Sequence, residues 1–506
     1  MKTLPVALIS ALALLLAHVA PLSAREKLPI GMAASGAPID AIVLDTETQP
    51  SRTVLVIGGL QGKMDGSSER VLDIGRRYDN DEAAQRAYRL ILIPLANPDA
   101  TALKFPPSGV AYRENPEANF LWRWLGLHAP DKVILIGDDD LGLAEALSKN
   151  VVAEVGRIPA ARQRVRGAVK LSTQRPAASE AHVEMDRRRA RSPRQLADEL
   201  ARTYGHDFDQ PLYIQSLALI AQIRLGHLDE VKQLVEPYVD GTKDSLARPN
   251  SLVLAGHLVF TELARRTGDE RYAQLVKRVA DLGFEADGTP KESMPYHDQF
   301  SDSLFMGTVI AAQAGALSGE RKYFDLAARH VAFMQKLVLR PDGLYRHSPE
   351  TVAAWGRGNG FPAIGLALAL PEFPQDHPEF PTLLHAFQKH MATLAKYQDG
   401  DGLWRNVIDI ENAYAEVTAT AMIGFSMLQG VKHGWLPAAE YQPRIDRAWR
   451  AVVERVGAEG HMVDACESTM KLRSVDDYLR RASILGPDPR AGAMTLMFAT
   501  AMAGLD

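Results

Sequence analysis

Two regimes of hydrophobic patterning divide the chain. From Pro38 to about Lys170, short β-branched runs end in turn residues: Val54–Ile57 runs into Gly58-Gly59, Leu90–Ile93 into Pro94, and Lys132–Ile136 into Gly137. Such runs, spaced by helical stretches, predict a buried, largely parallel α/β sheet over residues 38–170. Beyond Pro193 the strand signal ends and apolar residues recur at helical spacing to the C-terminus. Between these regimes, residues 171–194 are polar, contain Pro176 and end in Arg187-Arg188-Arg189-Ala190-Arg191-Ser192-Pro193, which reads as a linker.

The helical half repeats itself. Thr267-Gly268-Asp269-Glu270-Arg271-Tyr272 recurs as Ser318-Gly319-Glu320-Arg321-Lys322-Tyr323, each opening an apolar-periodic helix. Asp342-Gly343-Leu344-Tyr345-Arg346-His347 recurs 59 positions later as Asp401-Gly402-Leu403-Trp404-Arg405-Asn406. Repeats of about 50 to 60 residues, each a helix, a glycine turn and a second helix, signal stacked helical hairpins. The second helices start near Gln210, Asn250, Asp302, Gly358, Ala413 and Arg490. Six such hairpins close into an α/α toroid over residues 195–505, an (α/α)6 barrel whose inner ring is made of the second helices. Their N-termini then converge on one end, where unpaired N–H groups and positive dipole ends favour an anionic ligand such as a carboxylate.

The first 24 residues follow another logic. Lys2, an apolar run from Val6 to Val19 and the small residues Ser23 and Ala24 precede Arg25-Glu26-Lys27, the order of a cleaved signal peptide. The run is shorter than the roughly 20 residues of a membrane span. The expectation is a periplasmic or secreted protein with no membrane span in the mature chain. Charge narrows the partners: 57 Lys+Arg against 62 Asp+Glu argues against a nucleic-acid partner, which needs a basic face. The single cysteine, Cys466, excludes an internal disulfide and reads as a buried small hydrophobe.

At the predicted inner N-termini the chain reads Tyr296-His297-Asp298-Gln299-Phe300-Ser301-Asp302-Ser303-Leu304-Phe305-Met306-Gly307, then Trp355-Gly356-Arg357-Gly358-Asn359-Gly360-Phe361, then Tyr414-Ala415-Glu416-Val417-Thr418. With Cys466-Glu467-Ser468-Thr469 and Asp488-Pro489-Arg490-Ala491-Gly492 in the tail, these blocks resemble the unsaturated glucuronyl and rhamnogalacturonyl hydrolases of glycoside hydrolase families 88 and 105. The resemblance covers residues 195–505. It implies removal of a 4,5-unsaturated uronic acid from the non-reducing end of lyase-generated oligosaccharides, by hydration of a vinyl ether, with no metal or organic cofactor.

By position, the resemblance makes Asp302 the acid that protonates C4 and then accepts a proton from the attacking water. A carboxyl in a partly desolvated pocket suits that exchange. Arg357 would fork onto the uronate. Trp355 and Phe361 would line the sugar subsite, with His347, Asn359 and His297 as further substrate contacts. Two places depart from the family pattern. An early Asp expected at the second inner helix is absent from Arg248-Pro249-Asn250-Ser251-Leu252, with Asp244 upstream as a possible substitute, and Lys291 stands where the family tends to have His.

The α/β region resembles, more faintly, zinc carboxypeptidases of the M14 type. Val-Ile-Gly-Gly-Leu at 56–60, Ile-Pro-Leu-Ala-Asn-Pro-Asp at 93–99 and Arg113-Glu114-Asn115 carry that likeness. Gln61, Met64 and Gly137 occupy the ligand positions, and they do not make a catalytic zinc set. Two alternatives to a hydrolase remain open from sequence: a carbohydrate-binding protein that has lost turnover, and a uronide lyase or sugar epimerase on the same toroid.

Overall fold

The computed structural model describes residues 25–44, 50–166, 172–296, 299–468 and 470–506. The expected signal peptide, residues 1–24, and His297 lie outside the described residues. In the first region six strands form one sheet: β1 (Arg25–Met32), β2 (Pro38–Leu44), β3 (Thr53–Ile57), β4 (Arg89–Ile93), β5 (Lys132–Ile136) and β6 (Ala160–Gln163), in the order β1-β2-β4-β3-β5-β6. β4, β3, β5 and β6 run parallel, and β1 and β2 form an antiparallel edge. The sheet therefore begins at Arg25, 13 residues before the Pro38 start read from sequence.

Four helices flank the sheet: α1 (Ser67–Tyr78), α2 (Glu82–Ala87), α3 (Pro116–His128) and α4 (Leu143–Lys149). Val71, Ile74 and Tyr78 of α1 join Val54, Val56, Leu90 and Leu92 on one face. On the other face Leu55, Ile57, Ile91 and Val133 pack with α3. All of α3 except His128 is buried, because the helix is sandwiched between the sheet and the helical region.

The segment expected to be a linker contains helix α5 (Glu180–Arg189), capped by Ser179. Two arginines of the run, Arg188 and Arg191, are buried and structural. Arg188 donates to the Glu454 carbonyl and to the Glu154 carbonyl, and Arg191 to the carbonyls of Val453 and Val456 at 2.7 Å. A charge run that reads as part of a linker thus ties the two regions together, because carbonyls distant in sequence supply its acceptors.

The helical region comprises α6 (Pro193–Ala201), α7 (Tyr213–Leu225), α8 (Leu228–Val239), α9 (Ser251–Gly256), α10 (Leu258–Thr267), α11 (Glu270–Ala280), α12 (Ser303–Met306), α13 (Thr308–Ser318), α14 (Arg321–Val338), α15 (Gly356–Ala369), α16 (Phe380–Ala395), α17 (Val417–Lys432) and α18 (Ala438–Glu454). It ends with strand β7 (Met462–Cys466), helix α19 (Val475–Leu479), strand β8 (Ser483–Gly486) and helix α20 (Pro489–Met502). Among the described residues, α7, α9–α10, α12–α13, α15, α17 and α20 touch one another in sequence, and α20 returns to α7, which closes a helical toroid. The members of this ring start within four residues of the positions read from sequence.

Burial explains the patterning: α15 and α17 are apolar and buried almost all round, whereas α8, α11 and α18 bury one stripe from the outside. Gly365 lets α15 approach α12, since a Cβ there would meet the Leu304 carbonyl at 2.3 Å. The repeated Gly268 and Gly319 end α10 and α13 at φ +71°, the left-handed conformation glycine adopts without strain. No helix among the described residues is long and apolar enough to cross a membrane.

Candidate active site

Asp302 stands at the head of α12 with φ −55° and ψ −27°, already helical, so its carboxylate does not cap the helix. A capping residue needs an extended backbone to turn its oxygen back onto the free N–H groups. The heads of three other ring helices meet that need: Glu416 accepts from the amides of Thr418 and Ala419, Asp488 from Ala491, and Asn250 from Val253. Asp302 Oδ1 is buried and has no hydrogen-bond partner among the described residues, while the side chain as a whole is 14% exposed. The nearest ionisable partner is His347, whose Nε2 lies 3.5 Å from Oδ1.

His347 is buried in the loop before α15 and is held on every side. Its carbonyl accepts from Ser301 N at 2.9 Å, which ties its loop to the residue preceding Asp302. Its ring contacts Phe300, Trp355 and Tyr478, and its Nδ1 lies 2.7 Å from the Tyr478 hydroxyl. The Tyr478 hydroxyl also accepts from Leu472 N at 3.3 Å. Burial pushes the Tyr478 phenol up to about 12, so it stays protonated at neutral pH.

Arg357 is the second residue of α15, above the Trp355 ring at 4.8 Å. The structure changes the expected role of its fork. Nη1 donates to the Cys466 carbonyl at 2.9 Å and to Thr418 Oγ1 at 3.3 Å, and Nη2 donates to the Glu467 carbonyl at 3.0 Å. A guanidinium has five N–H groups. Protein oxygens therefore hold the end-on edge, and the side edge, Nε with the second Nη2 hydrogen, lies outside those three bonds. Burial works against this charge, but the fields of the groups around it, Cys466, Glu416, Tyr213 and Asp488, together raise it above the ordinary guanidinium value.

Other expected contacts belong to the frame. Asn359 is fully buried and uses its amide on the backbone: it accepts from Tyr345 N at 2.8 Å and donates to the carbonyls of Tyr345 at 2.8 Å and Trp355 at 3.0 Å. It fixes the start of α15, and its expected place in the substrate subsite is not where the structure puts it. Phe361 is likewise in the core, packed on Phe305 and Tyr213. Trp355 is buried behind His347 and Arg357, and its indole N–H donates to Asn406 Oδ1 at 3.2 Å. Asp244 does not substitute for the absent early Asp, since it is half-exposed, accepts from Leu246 N and pairs with Arg278 at 2.9 Å. Lys291 donates to the Leu282 carbonyl. Cys466 is buried, and burial raises its thiol above the ordinary value.

Residues that sequence reading did not single out complete the cluster. Tyr213 opens α7 and is pushed up to about 12 by burial, within the fields of Arg357, Asp302, Arg490 and Asp488. Tyr478 arrives from α19, far along the chain, and no local pattern marks it. Ser301 Oγ is buried without a hydrogen-bond partner among the described residues, next to Gly358. The site is thus an uncapped carboxylate, an oriented imidazole and a fixed guanidinium.

Comparison with known proteins gives this arrangement a family. The model of Glycosyl Hydrolase Family 88 matches residues 186–505. The chain belongs to this family. It is 23% identical over 300 residues to an unsaturated rhamnogalacturonyl hydrolase of Bacillus subtilis (strain 168), covering 55% of this chain and 85% of that protein. It is 24% identical over 228 residues to an unsaturated 3S-rhamnoglycuronyl hydrolase of Alteromonas sp. (strain LOR), covering 40% of this chain and 55% of that protein. A solved structure from Salmonella enterica, a possible member of family GH105, superposes with TM-score 0.53 at 18% identity over 62% of this chain and 94% of its own. A family 105 glycoside hydrolase of C. acetobutylicum ATCC 824 gives TM-score 0.51 at 19% identity, over 61% of this chain and 99% of its own. As a member of family 88, the protein is a glycoside hydrolase.

Proposed function

We propose that this enzyme removes a 4,5-unsaturated uronic acid from the non-reducing end of oligosaccharides by hydrating the vinyl ether, with Asp302 as acid and then base. The observation that carries the reading is the uncapped Asp302 carboxylate, buried at Oδ1 and 3.5 Å from His347 Nε2. The Asp302 carboxyl delivers its proton to C4 of the C4=C5 bond, and the positive charge develops at C5, shared with the ring oxygen. Water adds at C5 and returns a proton to Asp302. The resulting hemiketal opens, and the neighbouring sugar leaves with its own oxygen. Such positioned proton transfer contributes about 10²–10⁴-fold.

The other side chains prepare that exchange. The Tyr478 hydroxyl accepts from Leu472 and directs its own proton to His347 Nδ1, which leaves the proton on Nε2 facing Asp302. The free edge of Arg357 takes the uronate. The names of the Bacillus subtilis and Alteromonas relatives support this substrate class. In this reading the ring and its outer helices are six hairpins, an (α/α)6 barrel over 195–505 that follows the α/β domain. Residues 1–24 direct export to the periplasm or beyond. The test is ultraviolet absorbance on an unsaturated uronyl disaccharide: hydration destroys the conjugated enoate, so absorbance falls as the second sugar is released. Constant absorbance with bound sugar contradicts the reading, and rising absorbance on intact polysaccharide identifies a lyase.

A further inference from the structure

The family match begins at residue 186, so the whole sheet domain lies outside it. That domain nevertheless sits at the end of the toroid where the site is. The link runs through Arg123 of α3, which is 5% exposed. Its Nη1 donates to Asp464 Oδ1 at 2.7 Å and to Ser483 Oγ at 2.8 Å, and its Nη2 donates to the Ser483 carbonyl at 3.0 Å. Asp464 is in β7 and Ser483 in β8, so one guanidinium clasps both strands of the pair. The Tyr112 hydroxyl donates to the same Asp464 oxygen at 2.8 Å, and the Tyr112 ring stacks on Tyr414 at 4.5 Å and 9°. Two residues beyond Asp464, the Cys466 carbonyl holds Arg357, and the next carbonyl, that of Glu467, takes its other nitrogen. The Cys466 amide is anchored in turn on Glu416 at 2.9 Å.

We propose that Arg123 is a positioning residue for Arg357: the α/β domain supports the uronate site from behind by fixing β7, whose last carbonyl and the one after it aim the guanidinium. The inference rests on the uronide reading above and extends it to a domain outside the family match. Asp464 has φ +64°, a conformation unusual for a side-chain-bearing residue, and the Arg123 and Tyr112 bonds hold it there. Without that clasp β7 shifts, the two carbonyls move off Arg357, and the side edge loses its aim at the carboxylate. The Asp302 segment is tied to the His347 loop through the Ser301 amide, and Tyr478 is held separately by Asn406, which donates to its carbonyl at 2.7 Å, so both keep their place. The defect therefore falls on substrate capture rather than on proton transfer.

Initial rates on an unsaturated uronyl disaccharide test this with the full-length wild type, Arg123→Met, Arg123→Lys and Tyr112→Phe. The expected result is a KM raised about tenfold in Arg123→Met with kcat within about threefold, a partial return in Arg123→Lys, and a KM raised about two- to threefold in Tyr112→Phe. A merely structural role would lower the folded fraction, and so the apparent kcat, without moving KM. A folded Arg123→Met enzyme with wild-type KM overturns the inference. If that variant does not fold, Tyr112→Phe decides, since it loses one hydrogen bond and keeps the stack, and an unchanged KM there overturns the inference equally. A wild type that neither turns over nor binds the disaccharide by calorimetry overturns the uronide reading instead.

Discussion

Glu416 at the head of α17 and Asp302 at the head of α12 occupy matching places in the ring, and the structure gives them opposite uses. Glu416 has φ −118° and ψ 118°, so its carboxylate folds back onto the amides of Thr418 and Ala419 and also receives Cys466 N. Asp302 is helical at φ −55°, and the same turn-back is closed to it. Its oxygen is left beside His347 instead of a ladder of amides. Backbone conformation at the helix head, more than residue type, decides whether a carboxylate stabilises the fold or is available for chemistry.

The sharpest way to break this comparison is to neutralise each carboxylate in turn. Asp302→Asn keeps the shape and removes the acid, so turnover falls about 10³-fold while stability changes by less than about 0.5 kcal/mol. Disaccharide kinetics and urea unfolding of the same preparation check both halves. Glu416→Ala reverses the pattern. It strands the buried amides of Thr418, Ala419 and Cys466, so stability falls by about 3 kcal/mol in urea unfolding, and the enzyme that remains folded keeps its proton-transfer step.

A pH titration of stability sharpens the contrast through two further groups, His257 and His390, both lowered to about 4 by burial. His390 is buried against the carbonyl of Asn359. A histidine depressed in the fold contributes stability that is complete above its unfolded value near 6.5 and is lost as pH falls towards 4. The unfolding free energy therefore declines over that window, by on the order of 3 kcal/mol for each, in wild type and Asp302→Asn alike. A smaller effect follows from Tyr478→Phe, which frees Nδ1 of His347. The kcat drops roughly tenfold, matching one lost hydrogen bond, and KM is little changed.

The fold was largely legible because it repeats. The β-branched runs named β3, β4 and β5, and the recurring Gly268/Gly319 and Gly343/Gly402 turns marked the helical hairpins. Asp302 was legible as a position only through the family resemblance of its block, since an Asp at a helix head by itself reads as an ordinary N-cap. What stayed hidden depends on partners distant in sequence. Arg188 and Arg191 look like part of a linker until the carbonyls of residues 453–456 arrive. Asn359 looks like a ligand contact until Tyr345 takes its amide, and Tyr478 has no signal of its own until α19 folds onto His347. Strand β1 was missed because its pairing with β2, and not its own patterning, makes it part of the sheet.

The central claim is that Asp302 places a proton on C4 of an unsaturated uronide. The most direct measurement runs wild type and Asp302→Asn on an unsaturated uronyl disaccharide in deuterated water and locates deuterium in the released uronic acid by magnetic resonance. The account predicts one deuterium at C4 from the wild type and no labelled product from Asp302→Asn over the same time. Release by the wild type without deuterium at C4, or labelling at the wild-type rate by Asp302→Asn, would contradict it.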